Sequence, residues 1–203
     1  MIWKFTDNKS RDSIEQQFDW ARNMNEVPQD KLYHAEGNVA VHTWKVIEEL
    51  QQLPAYSDLG GQDKEILWTA ALLHDVEKRS ATVVESDGRI TARGHARKGE
   101  YTVRTLLYRD LPTPFAIREK IASLVRFHGL PLWLMEKTDP VRKIAEVAFR
   151  LDTSQLRMLA EADIRGRICQ DREELLESLD LFELFCREQG CWTVSYTHLR
   201  AHE

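Results

Sequence analysis

Six residues spread along the chain are of types that hold cations, and their spacing turns them toward one interior. The segment ALLHDVEKRS, residues 71–80, sets His74 beside Asp75 at the end of an apolar run. In NVAVHTWKVIEEL, residues 38–50, His42 shares a helical stripe with Val39 and Val46, so its imidazole points inward. His74 follows Leu67 and Ala71 on one face, and Asp75 is rotated from it by the ~100° of one helical residue, so the pair flanks a point inside the bundle. His128 lies one turn after Leu124, Asp163 one turn after Leu159 with Leu156 beneath, and His95 opens a helix after Gly94, where Gly99 leaves room for something bulky. Taken singly, each has another reading: a core imidazole satisfied by its neighbours, an ion-pair partner for Arg165 or Arg167 in the case of Asp163, a helix-starting residue in the case of His95. Taken together, each unpartnered buried group costs on the order of 2 kcal/mol or more, and a shared cation resolves that cost.

The elements that must position these groups are helices. Apolar residues recur at helical spacing in nearly every segment, which predicts an all-α domain with helices near 10–24, 38–52, 62–79, 95–109, 114–128, 139–150, 153–168 and 171–188. TVVESDGRITA, residues 82–92, reads as a small β-hairpin, because Asp87-Gly88 between two β-prone runs is preferred tight-turn chemistry. Prolines and glycines mark the joints, among them Pro28, Pro54, Gly60-Gly61, Pro112, Pro114, Gly129, Pro131 and Pro140.

Composition narrows the class. At 203 residues, 42% hydrophobic and 30% charged, the chain suits one soluble domain, and no apolar run approaches a membrane span. The first residues, MIWKFTDNKSRD, lack a signal-peptide pattern, so a cytoplasmic protein is expected. Cys169, Cys186 and Cys191 include no CxxC pair, which argues against a disulfide scaffold and a thiolate zinc site. With a net charge of -5, a polyanionic substrate would need local basic residues or metal. The last residues, TVSYTHLRAHE, abandon the helical pattern and resemble translated sequencing-adapter DNA. We therefore expect a domain over residues 1–190 and a non-native tail over 191–203 ending a truncated chain, with a natural tail as the alternative, and leave His198 and His202 out of the metal argument.

The order His42, then His74-Asp75, then Asp163, with AALLHDVEK around the pair, resembles the HD superfamily of metal-dependent phosphohydrolases over about residues 30–170. His95 and His128 match the two extra histidines of members that hold a second metal. The fold implied is the HD-domain helical bundle. YHAEGNVAVHT, residues 33–43, is similar to the segment before the first ligand in the HD domains of bacterial tRNA nucleotidyltransferases, which remove 2′,3′-cyclic and 2′ phosphates. LLHDVEKRS, GHARKGE and VRFHGLPLW look closer still to the N-terminal HD domain of HD-Pnk RNA repair proteins. The chain has no GxxxxGK[ST], so a polynucleotide kinase half is expected only as a missing C-terminal partner domain.

By that resemblance, His42, His74, Asp75 and Asp163 hold one divalent ion, and His95 and His128 hold a second that Asp75 bridges. Imidazole and carboxylate ligands suit Mn, Fe, Co, Ni or Zn. Such a pair of ions activates water and clamps the attacking and leaving oxygens of a phosphoester. Asp75 and Lys78 are the catalytic candidates, Lys78 lying one turn beyond His74, where it meets either a phosphate oxygen or only the helix dipole. Arg79, Arg97, Lys98 and Arg126 are candidates for phosphate contact or plain surface charges. His34 and Glu36 border the pocket as their family counterparts do, Glu36 being otherwise a helix-start carboxylate. Trp44, Trp68 and Trp133 are expected in the core rather than stacked on bases. The function implied is healing of RNA 3′ ends carrying 2′,3′-cyclic or terminal phosphates. The alternatives are a nucleotidase or second-messenger hydrolase, and a non-catalytic binding module.

Overall fold

The computed structural model describes residues 2–192; the segment from Thr193 onward, including His198 and His202, lies outside the described residues. The fold is all-α apart from one small hairpin. In chain order the elements are α1 (Arg11–Gln17), α2 (Asp19–Asn23), α3 (Val39–Gln52), α4 (Pro54–Ser57), α5 (Gly61–Leu73), α6 (Lys78–Ala81), β1 (Val83–Val84) and β2 (Ile90–Thr91). There follow α7 (His95–Thr105), α8 (Phe115–Phe127), α9 (Leu130–Trp133), α10 (Pro140–Ala148), α11 (Thr153–Gly166) and α12 (Arg172–Glu188). No helix among the described residues is long and apolar enough to cross a membrane.

The bundle is organised around α5, which is buried on every side from Ile66 to Leu73, as expected of a helix whose hydrophobic residues do not form a single stripe. It packs against α3, α8 and α11. The ends of the surrounding helices are set by local chemistry. The Asn38 side chain accepts from Val41 N and starts α3, and the Asp139 and Asp152 side chains accept from Arg142 N and Ser154 N to start α10 and α11. Gly94, at φ +78, makes the left-handed turn that lets His95 open α7.

Two glycines sit at close helix crossings. A Cβ on Gly166 of α11 would lie 2.9 Å from the backbone nitrogen of Val46 on α3 and 2.9 Å from its Cγ2. A Cβ on Gly99 of α7 would lie 3.1 Å from Val125 Cγ1 on α8, so the room left by that glycine is filled by a neighbouring helix rather than by a ligand. The first crossing lies one turn from His42 and Asp163, and the second one turn from His95 and His128.

Several expected elements are interrupted. The expected 10–24 helix breaks at Phe18, which is extended (φ -128, ψ 111), and ends in a 3₁₀ turn over Met24–Glu26. The expected 62–79 helix stops at Leu73, and His74–Glu77 form turns before α6 begins. The expected 95–109 helix loosens into a π turn at Leu106–Asp110. The hairpin forms where expected, with Val84 paired to Ile90, but five residues rather than a two-residue turn join its strands, and Asp87 is spent accepting from Arg89 N. Trp68 is buried and Trp44 partly buried, as expected, whereas Trp133 is about half exposed, at 48%.

A buried polar knot ties α7, α8 and the end of α10 together. Glu100 meets Arg104 at 2.9 Å, Arg126 at 3.4 Å and Arg150 in a close contact. Burial opposes its ionisation most, but Arg150 and Arg104 outweigh it and hold the carboxyl below its usual value.

Two outcomes follow. In Gly166→Ala the gain of about 1 kcal/mol in helix propensity is outweighed by the clash with unyielding Val46 backbone, giving a net loss of about 1–3 kcal/mol and a melting point lower by roughly 3–10 °C. Gly99→Ala, which meets only a side-chain methyl, stays nearer neutral in the same calorimetric comparison. Because the Glu100 pKa is depressed in the folded chain, its stabilisation is present above the unfolded carboxyl pKa and lost as pH falls through the lower folded value. Glu100→Gln should therefore lower stability at pH 7 and flatten the acid limb of a stability-versus-pH curve below about pH 4.5.

Candidate metal centre

The buried end of α5 delivers the adjacent pair. Where α5 stops, Val76 N bonds to Leu73 O at 3.1 Å and Lys78 N to Asp75 O at 2.9 Å, so the backbone tightens into i→i−3 turns just at His74 and Asp75. His42 reaches the same point from α3, His95 from the first residue of α7, His128 from the end of α8, and Asp163 from α11. Five of these residues are nearly free of solvent, and His95 is partly buried.

Asp75 stands at the middle, and its two oxygens face different neighbours. Oδ2 lies 3.2 Å from His74 Nε2 and 3.8 Å from His42 Nε2. Oδ1 lies 3.1 Å from His95 Nε2 and 3.9 Å from His128 Nε2. His42 Nε2 also lies 3.0 Å from Asp163 Oδ1, and His95 Nε2 lies 3.4 Å from His128 Nε2. Donor atoms of His42, His74 and Asp75 fall within 4.8 Å of one another, as do those of Asp75, His95 and His128. Each oxygen of Asp75 thus faces its own pair of imidazoles.

The other ring nitrogens are anchored. His74, His95 and His128 donate from Nδ1 to the carbonyls of Ala71, Ala92 and Val125 at 2.8, 2.7 and 2.8 Å. A carbonyl can only accept, so Nδ1 carries the proton, and in each neutral ring the Nε2 lone pair points into the cluster. His42 is oriented differently: Glu36 Oε1 lies 2.8 Å from its Nδ1 and 2.9 Å from His34 Nδ1, and Glu36 Oε2 accepts from Ile168 N at 2.8 Å. The Glu36 side chain is buried, lines neither of the two clefts beside the cluster and lies against both His34 and His42, where it positions His42.

The residues fit a bound cation. Despite the short contacts, His42 Nδ1, His42 Nε2, His74 Nε2 and Asp75 Oδ1 are buried without a hydrogen bond of acceptable geometry. Such groups are costly unless something shares their lone pairs, and imidazole nitrogen with carboxylate oxygen is a donor set suited to a divalent transition ion. The protein itself compensates the negative charge with two cations. Lys78 Nζ lies 2.8 Å from Asp75 Oδ2 and donates to Gln29 Oε1 at 2.6 Å. Arg167 grips Asp163 through Nε at 3.1 Å and Nη2 at 2.5 Å, while Arg165 turns to Glu161, so of the two arginines within reach of Asp163 it is Arg167 that pairs.

Ionisation follows from these neighbours. Burial opposes charge on Asp75 and Asp163 most, but Lys78 and His74 for the first, and Arg167 and His42 for the second, hold both well below the usual carboxylate range. Burial, with the charges of His74 and His95, pushes His128 down to about 3, so it is neutral and able to donate its lone pair at neutral pH. His34 falls to about 4, chiefly by burial.

The remaining candidates separate by place. His34 and Lys78 line a cleft of about 570 Å³ together with Tyr33, Arg93, Trp133 and Arg167, and His95 forms its inner edge. Arg126 and Arg97 line a second cleft on the other side of His95. Lys98 instead donates to Ser80 O at 3.3 Å, and Arg79 pairs with Glu77 at 3.1 Å; neither lines these two clefts. Gln29, Tyr33 and Arg167 were not expected as site residues. Only Arg167 had a signal, its i+4 spacing from Asp163, and Gln29 and Tyr33 sit in a stretch of no regular structure.

The comparisons agree with this geometry. A family model described as HD domain matches residues 39–163, more than half of the chain, running from the first residue of α3 to Asp163 itself. The chain is also similar to the "Multifunctional CCA protein" of Nitrosococcus oceani, at 29% identity over 152 residues. That alignment covers 70% of this chain and 33% of the relative, so the chain spans about a third of that relative's length. An all-α bundle that turns its histidines and aspartates onto one buried carboxylate pair, matched across that whole span, belongs to the HD domain family of metal-dependent phosphohydrolases.

Proposed function

We propose that the protein is a two-metal phosphoesterase that removes 2′,3′-cyclic and 2′- or 3′-terminal phosphates from RNA ends. The observation that carries the reading is the division of the Asp75 carboxylate, Oδ2 toward His42 and His74 and Oδ1 toward His95 and His128. Support for the substrate comes from the similarity to a protein named for CCA and from the segments YHAEGNVAVHT and VRFHGLPLW. Divalent ions in such a site supply an acidified water and neutralise the oxygens of the phosphoester.

The chain's own groups do the rest. The three Nδ1-to-carbonyl bonds hold the rings of His74, His95 and His128 with Nε2 turned into the cluster, so no ring has to reorient when the site is filled. Lys78 lines the cleft of about 570 Å³ and touches Asp75, so its ammonium can meet a phosphate oxygen that approaches the cluster. Arg167, held by Asp163 on the same cleft wall, adds a second fixed positive charge.

The test is phosphate release and ring opening over 2′,3′-cyclic nucleotides, 2′- and 3′-phosphorylated RNA and free nucleotides, against Mn, Fe, Co, Ni and Zn. Cyclic or terminally phosphorylated ends should turn over, Asp75→Ala should abolish turnover, and Lys78→Ala should lower kcat about 100-fold. Turnover of free 5′-nucleotides or second messengers alone would replace this reading by a nucleotidase, and silence across the panel would end it. Independently of activity, a binding ion at 100 times its Kd should stabilise the chain by about 2.7 kcal/mol, roughly 5–11 °C in melting point, and His74→Ala should remove that shift.

A further inference from the structure

Two clefts meet at the candidate centre, divided by His95 and the half-exposed ring of Trp133, which line both. The first, with Tyr33 and His34, holds Lys78 and Arg167, whose charges are already engaged by Asp75 and Asp163. The second, of about 590 Å³, opens on His95 and His128 and is lined by Arg97, Arg126, Lys137 and Lys143, with no acidic residue in its wall. On a chain of net charge -5, four cations gathered along one cleft are a local reversal of sign.

Their partners leave much of that charge free. Among the described residues, Arg97 and Lys137 are exposed and form no ion pair. Arg126 reaches Glu100 only at 3.4 Å, and Lys143 pairs with Glu146 at 2.9 Å; neither acid lines the cleft. The Phe127 ring, which also lines the cleft, holds Arg126 at 5.5 Å and Lys143 at 5.0 Å, which fixes where these cations stand. Positive groups lining a cleft that reaches the candidate metal centre, with a half-exposed aromatic ring shared by both clefts, supply the two parts that bind single strands: charge for the backbone and a face on which a base can stack.

We propose that this second cleft is a track for the phosphodiester backbone of a single-stranded oligonucleotide, with the base next to the reactive end stacked on Trp133. The track rests on the phosphoesterase reading for the place of the reacting end, and it makes the substrate class an oligonucleotide rather than a mononucleotide.

The probe is a fluorescein-labelled single-stranded RNA hexamer with a 3′-hydroxyl, followed by anisotropy over a salt series and needing no turnover. Wild-type protein should bind it with an affinity that falls with salt by about 0.7 log units per log unit of salt for each phosphate contacted. Arg97→Ala with Lys137→Ala should weaken binding at least tenfold and lower that slope by about one or more, while Lys4→Ala with Arg22→Ala, a matched loss of charge at the N-terminal segment, changes affinity less than twofold. Trp133→Ala should cost about fivefold or more. Absence of binding, or equal weakening in both double variants, overturns the track. If cyclic mononucleotides turn over while the hexamer fails these tests, the phosphoesterase reading stands and the track falls. If the hexamer behaves as expected but no phosphoester is cleaved, the track stands and the phosphoesterase reading falls.

Discussion

Everything in this molecule turns on keeping the Asp75 carboxylate ionised almost without water. A lone carboxylate moved from solvent to such a place would take up a proton, and here burial is indeed the largest influence against its charge. It stays ionised because Lys78 touches it and four imidazoles surround it. That arrangement is a poor way to stabilise a fold, since a well-packed apolar core achieves as much with less desolvation. Its geometry is instead that of a ligand set held ready: Nε2 atoms already aimed inward, with ring orientations fixed from outside by backbone carbonyls.

Side chains can converge this closely only if their helices do. The fold achieves it at two crossings where one partner lacks a Cβ. Gly166 lets α11 lie against the backbone of α3 one turn from Asp163 and His42, and Gly99 lets α7 lie against α8 one turn from His95 and His128. Each crossing thus brings two of the cluster's residues together, and α5, wedged among α3, α8 and α11, brings His74 and Asp75 between them. The buried Glu100 knot braces the α7–α8 side as well. Packing and chemistry are therefore the same problem in this bundle, solved at the same helix ends.

Much of this was legible in the residues. Helical periodicity placed the main helices, and the inward position of His42, His74, His128 and Asp163 followed from the apolar residues one turn away. What local pattern could not show is what depends on partners distant in sequence. The 62–79 run keeps its helical spacing, yet the chain turns at His74 because the pair must face neighbours from other helices. Glu36 looks like any carboxylate near a helix start until His42, His34 and Ile168 N close around it. Gly99 read as space for a ligand because Val125 is distant in sequence, and Trp133 read as core because its exposure is set by the two clefts beside it. Lys98 and Arg79 have the sign for a phosphate contact, but their contacts with Ser80 O and Glu77 depend on partners that charge alone does not reveal.

The central claim is that Asp75 lies between two cation positions, and anomalous diffraction from crystals soaked in Mn tests it directly. The account predicts two peaks a few ångströms apart, one beside Oδ2 within reach of His42, His74 and Asp163, the other beside Oδ1 within reach of His95 and His128. A single peak away from Asp75, or none while the Lys78 and Arg167 contacts persist, would contradict it.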